Sequence, residues 1–181
     1  MKHILLSQID VYTDLIKGID IDREQIKQGI IKSFSEQNRI SKNPKDYSYE
    51  DYILPFSLPL QWTEDYIRDH FTLESGGKNL VIQGVWGNLY NAGEQSYTRH
   101  QVDPLNLRES PDYTTIYCID ITEGSTELVI EYDDNRRVNR TWHFPLQNNQ
   151  FVIFPSTQRY FISKNKSNSL NLFISFNWTY V

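Results

Sequence analysis

From Lys78 to the end of the chain, apolar and polar positions alternate with a period close to two. Side chains on a β-strand project alternately to the two faces of a sheet, so this period predicts strands rather than helices. Turns rich in Gly, Asn, Asp, Pro and Ser separate the alternating segments. The predicted strands are residues 79–91, 113–122, 126–134, 140–146, 149–156, 159–164 and 170–181.

The first half of the chain has a helical period instead. Asp22 can cap a helix, and Gln25 follows it by three positions, as in a capping box. Apolar residues then recur at spacings of three to four, which places them on one helical face. The pattern predicts a helix over residues 23–37. Its apolar face contains Ile26, Ile30, Ile31 and Phe34.

A second helix is predicted to begin at Thr63, after a polar, proline-containing connection. Acidic residues occupy its first turn, and Trp62 and Ile67 are spaced as a hydrophobic staple around its start. Gly76 and Gly77 end it, because glycine readily adopts the left-handed backbone that closes a helix. We expect the two helices to pack together on one side of the sheet.

Strands that follow helices, with no internal repeat, are typical of an antiparallel sandwich or short barrel flanked by helices. A chain of 181 residues is long enough to form one domain with a substantial core. The sequence therefore predicts an α+β fold in a single domain. Residues 1–77 would form its helical N-terminal part, and residues 78–181 would form a jelly-roll core.

Composition and charge exclude several classes of function. The formal net charge is -5 and the sequence pI is about 5.3, which disfavours nucleic-acid binding. The apolar stretches are only a few residues long and no signal peptide is evident, so we expect a soluble protein without a membrane partner. The one cysteine, Cys118, lies in an apolar run. It can build neither a disulfide framework nor a cysteine-based zinc site, and we expect a buried thiol.

Five segments between Trp86 and Asn177 resemble the phage and bacterial members of the iron and 2-oxoglutarate dependent oxygenases, in their prolyl-hydroxylase-like branch. The segments are WGNLYNAGEQSYTRHQVDP, SPDYTTIYCIDI, ELVIEYDD, NNQFVIFPSTQRYFISKN and NLFISFN. The resemblance implies a double-stranded β-helix, which agrees with the strand pattern. It also implies a site in which two histidines and one carboxylate hold Fe(II), with open positions for 2-oxoglutarate and oxygen.

The first histidine and the carboxylate of this family are usually two residues apart, because such residues project to the same face of a strand. His100 lies at the family's first position, but Asp103 comes one residue too late unless the loop bulges. None of the four histidines is followed two positions later by Asp or Glu. His3, His70, His100 and His143 are followed two positions later by Leu5, Thr72, Val102 and Pro145.

Two further departures are predicted from the resemblance. Tyr160 stands where the second histidine belongs, and Asn171 stands where the family has the cation that binds 2-oxoglutarate. An amide cannot replace the charge-assisted pairing of an arginine with a carboxylate. We therefore expect no catalytic residue, no cofactor and no metal. The alternative is an altered iron site formed by His100, Asp103 and His143, with Fe(II) and 2-oxoglutarate as cofactors.

The expected function is a structural or interaction role on a catalytically degenerate oxygenase-like jelly roll. The phage-like resemblance favours a component of a phage particle, in its neck, tail or baseplate, so the virion or the host cytoplasm is the expected location. The partners would be other protein subunits, including copies of this chain. Tyrosines are frequent at protein interfaces. The candidate interaction residues are Tyr47, Tyr49 and Tyr52.

Two alternatives to this function stay open. One is an active Fe(II) and 2-oxoglutarate dependent hydroxylase that uses the altered site. The other is a metal-free pocket for a sugar or another small ligand, lined by Trp86, Tyr90 and Trp142. Packing in the protein core explains these three aromatic residues equally well.

Overall fold

A computed structural model describes residues 9–17, 21–40, 52–135 and 138–181. It contains two α-helices, α1 (Arg23–Ile40) and α2 (Leu58–Glu74), and a short 3-10 helix (Leu107–Glu109). The described strands are β1 (Tyr12–Leu15), β2 (Tyr52–Ile53), β3 (Leu80–Tyr90), β4 (Tyr113–Asp120), β5 (Glu127–Asn135), β6 (Val138–Pro145), β7 (Gln150–Pro155), β8 (Arg159–Ile162) and β9 (Asn171–Tyr180).

The seven strands predicted from the alternating pattern are all present, as β3 to β9, with their ends shifted by a few residues. Two strands were not predicted. The four residues of β1 pair antiparallel with β7, and the two residues of β2 pair with β3. Both lie at the edges of a sheet, where a short strand is defined by its neighbour rather than by its own alternation.

The strands form two facing sheets. The major sheet has the order β1-β7-β4-β9-β3-β2, and the minor sheet has the order β6-β5-β8. Residues 96–101 run beside β8 as a fourth, irregular strand of the minor sheet. The backbone N–H of Arg99 donates to the carbonyl oxygen of Tyr160 at 2.9 Å, and the N–H of Tyr160 donates to the carbonyl oxygen of Arg99 at 2.8 Å. Two facing antiparallel sheets, with the helices on one side, confirm the predicted α+β double-stranded β-helix.

Both helices cover the outer face of the major sheet, as predicted. Alternate residues of β9 point towards them, and the resulting cluster is fully enclosed. Burying a large apolar side chain contributes roughly 1.5–3 kcal/mol, so this layer is a main source of stability. The helices supply Ile26, Ile30, Ile67 and Phe71, and β9 supplies Leu172, Ile174, Phe176 and Trp178.

The helix boundaries agree with the sequence at two of four ends, the start of α1 and the end of α2. Oδ1 of Asp22 accepts a hydrogen bond from N–H of Gln25 at 3.1 Å, which confirms the predicted cap of α1. Helix α1 continues three residues beyond the predicted end. The predicted start of α2 at Thr63 is wrong, because Ser57 caps a helix that begins at Leu58. Neither helix is long and apolar enough to cross a membrane, among the residues that the structure describes.

Candidate functional site

The space between the two sheets is apolar over most of its length and polar at one end. The apolar part contains the fully buried Cys118, as predicted, and burial raises the pKa of its thiol. Along β9, Phe173 belongs to the apolar part, whereas Asn177 faces the polar part. We call the polar part the polar cluster. Its members are Gln101, Thr114, Ser156, Tyr160 and Asn177.

A continuous chain of hydrogen bonds joins the polar cluster. Nε2 of Gln101 donates to the phenolic oxygen of Tyr160 at 2.8 Å, and Nδ2 of Asn177 donates to Oε1 of Gln101 at 3.3 Å. Oγ1 of Thr114 donates to Oδ1 of Asn177 at 3.3 Å and lies 2.8 Å from Oγ of Ser156. All five side chains are uncharged. Because buried polar groups are costly when unbonded, this chain explains how the interior tolerates them.

Strand alternation determines which residues of the 96–101 segment reach the cluster. Arg99 pairs with Tyr160 across the minor sheet, and its guanidinium carbon lies 5.7 Å from the centre of the Tyr160 ring. Gln101 is two positions further on and projects to the same side. His100 lies between them and is exposed. The pair spaced as the family's histidine and carboxylate is therefore Arg99 and Gln101.

The structure differs here from the expectation that His100 occupies the first ligand position. A shift of one residue along a strand moves a side chain to the opposite face. Asp103 lies beyond the segment and is exposed, and its Oδ1 accepts a hydrogen bond from N–H of Leu105 at 2.8 Å. This local turn holds the carboxylate in the loop and does not swing it back towards Tyr160.

His143 lies on β6, at the far edge of the minor sheet. Its side chain is half exposed, and its Nδ1 lies 2.9 Å from Oε2 of Glu127. The structure does not bring His143 together with His100 and Asp103. Within the described ranges, no group of three or more His, Cys, Asp or Glu residues is arranged to hold a metal ion.

Asn171 begins β9 and is fully buried on the inner side. Its Oδ1 accepts a hydrogen bond from N–H of Thr122 at 3.1 Å, and its Nδ2 donates to Oγ of Ser125 at 2.9 Å. Six residues of extended strand separate it from Asn177, or roughly 20 Å at about 3.3 Å per residue. Asn171 therefore stabilises the β4–β5 turn and lies far from the polar cluster.

The residues around Tyr160 differ from the iron site that the resemblance implies. Fe(II) in a facial triad needs two imidazoles and a carboxylate. The position instead presents a guanidinium from Arg99, an amide from Gln101 and a phenol from Tyr160. The Arg99 guanidinium places a positive charge beside Tyr160, which opposes cation binding there.

The other predicted site residues are dispersed. Tyr47 and Tyr49 lie outside the described residues, and Tyr52 is described only as the first residue of β2. Tyr90 is buried with its ring 5.8 Å from that of Phe173, so it is a core residue. Trp142 is 60% exposed and lines an open cleft to which neither Tyr90 nor Trp86 contributes.

The topology defines the fold as a double-stranded β-helix, and solved structures of iron and 2-oxoglutarate dependent oxygenases share this fold. Three solved structures illustrate the likeness. The viral collagen prolyl hydroxylase of Paramecium Bursaria Chlorella virus-1 superposes with a TM-score of 0.63 at 10% identity, over 93% of this chain and 94% of that chain. AviO1 of Streptomyces viridochromogenes superposes with a TM-score of 0.63 at 10% identity, over 93% of this chain and 89% of that chain.

A third neighbour is larger than this chain. It is an oxidoreductase of the 2OG-Fe(II) oxygenase family from Burkholderia pseudomallei, with a TM-score of 0.54 at 8% identity. The superposition covers 74% of this chain and 62% of the length of that one. Comparison of the sequence with protein-family models and with curated proteins finds no match. These low identities show a shared fold and nothing about shared activity.

Proposed function

We propose that this chain is a non-catalytic interaction protein built on an oxygenase-type jelly roll. The observation that supports the proposal most strongly is the hydrogen bond from Gln101 to Tyr160, the residue that stands where the resemblance puts the second histidine. The neutral, internally bonded cluster offers Fe(II) neither an imidazole nor a carboxylate. The guanidinium of Arg99 beside it adds an electrostatic penalty for any cation.

The partners in this proposal are other protein subunits, including copies of this chain, in an assembly such as a phage particle. Support for the particle comes from the sequence resemblance to phage members of the family, and support for an interface comes from the tyrosines Tyr47, Tyr49 and Tyr52. Mass spectrometry of purified particles from the source would find the chain in stoichiometric amounts. Its absence from them would remove the particle role while leaving the non-catalytic role standing.

The second candidate is an active Fe(II) and 2-oxoglutarate dependent hydroxylase. The observation that favours it is the set of structural neighbours, which includes a prolyl hydroxylase and other family enzymes at TM-scores above 0.5. In that case His100, Asp103 and His143 would have to converge by rearrangement of the loop and of the edge strand β6.

Anaerobic titration with Fe(II), followed by addition of 2-oxoglutarate and oxygen, separates the two candidates. A non-catalytic protein binds neither ligand at micromolar concentration and forms no succinate above the level of free iron. An active hydroxylase gives saturable iron binding and succinate, and both signals disappear in His100→Ala. The control variant is His70→Ala, since His70 lies on α2 with its ring stacked on Tyr66.

A further inference from the structure

An exposed apolar patch lies where the edge strand β2 connects to helix α2. No residue from position 52 to position 62 is charged, although 23% of the residues of the chain are. Several large apolar side chains of this segment remain in solvent, so they do not complete the core of the chain. These residues, which we call the β2–α2 patch, are Ile53 (70% exposed), Phe56 (77%), Leu58 (59%) and Trp62 (51%).

The backbone keeps the four side chains of the patch close together. Leu58 and Trp62 are four residues apart on α2, so they are neighbours on one face of the helix. The other face of α2 is buried in the core. The Cα atom of Phe56 is at most about 7 Å from that of Leu58, and the Cα atom of Ile53 is at most about 11 Å from that of Phe56. The exposed side chains therefore form one surface.

Contacts with the rest of the fold hold this surface in place. Strand β2 pairs with β3, and Oγ of Ser33 on α1 donates a hydrogen bond to the carbonyl oxygen of Ile53 at 2.9 Å. Where α2 begins, Oγ of Ser57 accepts a hydrogen bond from N–H of Leu60 at 3.3 Å. A surface that is fixed before binding loses little conformational entropy on association. The patch is therefore preorganised for a partner.

The area of the patch matches the apolar part of a dimer interface. A large aromatic side chain has roughly 150–250 Å² of surface, and the exposed fractions of the four side chains then give on the order of 500 Å². An interface of standard size buries about 800 Å² on each partner, of which roughly 55–65% is non-polar. The patch is thus large enough to supply the apolar core of one such interface.

Charge favours a second copy of this chain as the partner. Two copies that each carry a net charge of -5 repel one another, except where their contact is uncharged. In a two-fold symmetric dimer the same surface of each copy meets itself, so an uncharged apolar patch is complementary to its own copy. A basic partner would instead be recognised by acidic groups, which the patch lacks.

A membrane surface fits the patch less well. The charged residues in the helical turns after Trp62 are Glu64, Asp65, Arg68 and Asp69, of which three are acidic. Helices that lie on membranes usually carry basic residues beside their apolar face, because anionic lipids attract them. The acidic surroundings of this patch would be repelled by such lipids.

We infer that the chain forms a two-fold symmetric dimer through the β2–α2 patch, with Phe56 and Trp62 as its main aromatic contacts. Large aromatic side chains at the centre of an interface commonly contribute most of the binding energy. The inference rests on the proposed interaction role, and it names a second copy of this chain as one partner. It does not require the absence of iron, because no residue of the polar cluster belongs to the patch.

The test is sedimentation velocity of the full chain over a concentration series from micromolar to several hundred micromolar. The mass of the wild type should rise with concentration from 21.4 kDa to twice that value. Phe56→Asp and Trp62→Asp would each bury an unpaired charge at the contact, so each should weaken association on the order of a hundredfold. Phe56→Ala removes the aromatic contact without adding charge and should weaken association about tenfold.

The matched control is Leu105→Asp, because Leu105 is 95% exposed in the loop before the 3-10 helix and lies outside the patch. It should dimerise as tightly as the wild type, and circular dichroism melting checks that every variant is folded. Three results would overturn the inference: a wild type that is monomeric at every concentration, a dimer that persists in the folded Phe56 and Trp62 variants, or an equal loss in Leu105→Asp.

A wild type that stays monomeric but binds phosphatidylcholine vesicles would also overturn the inference, and would indicate a membrane as the partner of the patch. The proposed function is tested separately. Iron titration of the same preparation reports on the non-catalytic role, and mass spectrometry of particles reports on the particle role, whatever the mass of the chain in solution.

Discussion

The amide nitrogen of Gln101 lies 2.8 Å from the phenolic oxygen of Tyr160, across 59 residues of sequence. This bond joins the irregular 96–101 strand to β8 in the interior of the jelly roll. Tyr160 stands where the resemblance puts the second histidine of the family, and Gln101 follows directly after His100, the residue at the first position. The bond between them is therefore the local reason for the proposal that the chain has no iron chemistry.

Gln101→Ala is expected to destabilise the protein by about 1–3 kcal/mol. The substitution removes a hydrogen bond from Tyr160 and another from Asn177, both of which are buried. Urea unfolding followed by circular dichroism measures the loss. Gln61→Ala is the control, since Gln61 is exposed on α2, and it should change stability by less than about 0.5 kcal/mol. A cost for Gln101→Ala no larger than that of the control would contradict the role given to the cluster.

Installing the family's ligands should create a metal site. The triple variant Arg99→His, Gln101→Asp and Tyr160→His places two imidazoles and a carboxylate on side chains that already face one another. It should bind Mn(II) or Fe(II) and show a metal-dependent rise in melting temperature that the wild type lacks. The control variant keeps Tyr160→His but uses His100 and Val102→Asp, so that the histidine and the carboxylate are each one residue out of register. It should bind no metal. Metal binding by this control would mean that the assignment of inward positions is wrong.

Glu64→Gln is expected to stabilise the protein at neutral pH but not in acid. Burial raises the pKa of the Glu64 carboxyl, the charge of Asp65 raises it further, and Arg68 partly opposes both effects. A carboxyl with a raised folded-state pKa destabilises the native state as it ionises, so the penalty is absent below the unfolded pKa of about 4.3 and complete above the folded-state pKa. Unfolding at pH 3 and pH 7 measures the difference.

Glu123→Gln is the control for this pH effect, because Glu123 is exposed in the turn between β4 and β5. It should show no comparable gain between pH 3 and pH 7. The expectation for Glu64 fails if both substitutions behave alike, or if Glu64→Gln is as stabilising at pH 3 as at neutral pH.

The sequence predicted the sheets well because period-two alternation directly records which residues face a core. It did not predict β1, since the four residues Tyr12–Leu15 are a strand only by pairing with β7, 138 positions away in the Thr13–Phe151 contact. It also placed the start of α2 too late. The local indication was present, because Ser57 before Leu58-Pro59 is a good cap followed by a proline in the first turn.

The site was harder to predict than the fold. A search centred on histidines selects His100, whereas the residues that face inward are its neighbours Arg99 and Gln101. The pairing of Arg99 with Tyr160 determines which residues of this segment face inward. Local composition cannot predict such a contact between residues that are distant in the sequence. The sequence also did not predict the exposure of Trp142 in the open cleft, because an indole in an alternating strand is ordinarily a core residue.

The account is tested most directly by anomalous diffraction from crystals of the wild-type chain grown with Mn(II) and 2-oxoglutarate. It predicts no manganese peak between the sheets, with the Gln101 amide still bonded to Tyr160. A peak held by the chain's own side chains at roughly 2.0–2.2 Å from three nitrogen or oxygen donors, whichever residues supply them, would contradict it and establish the hydroxylase.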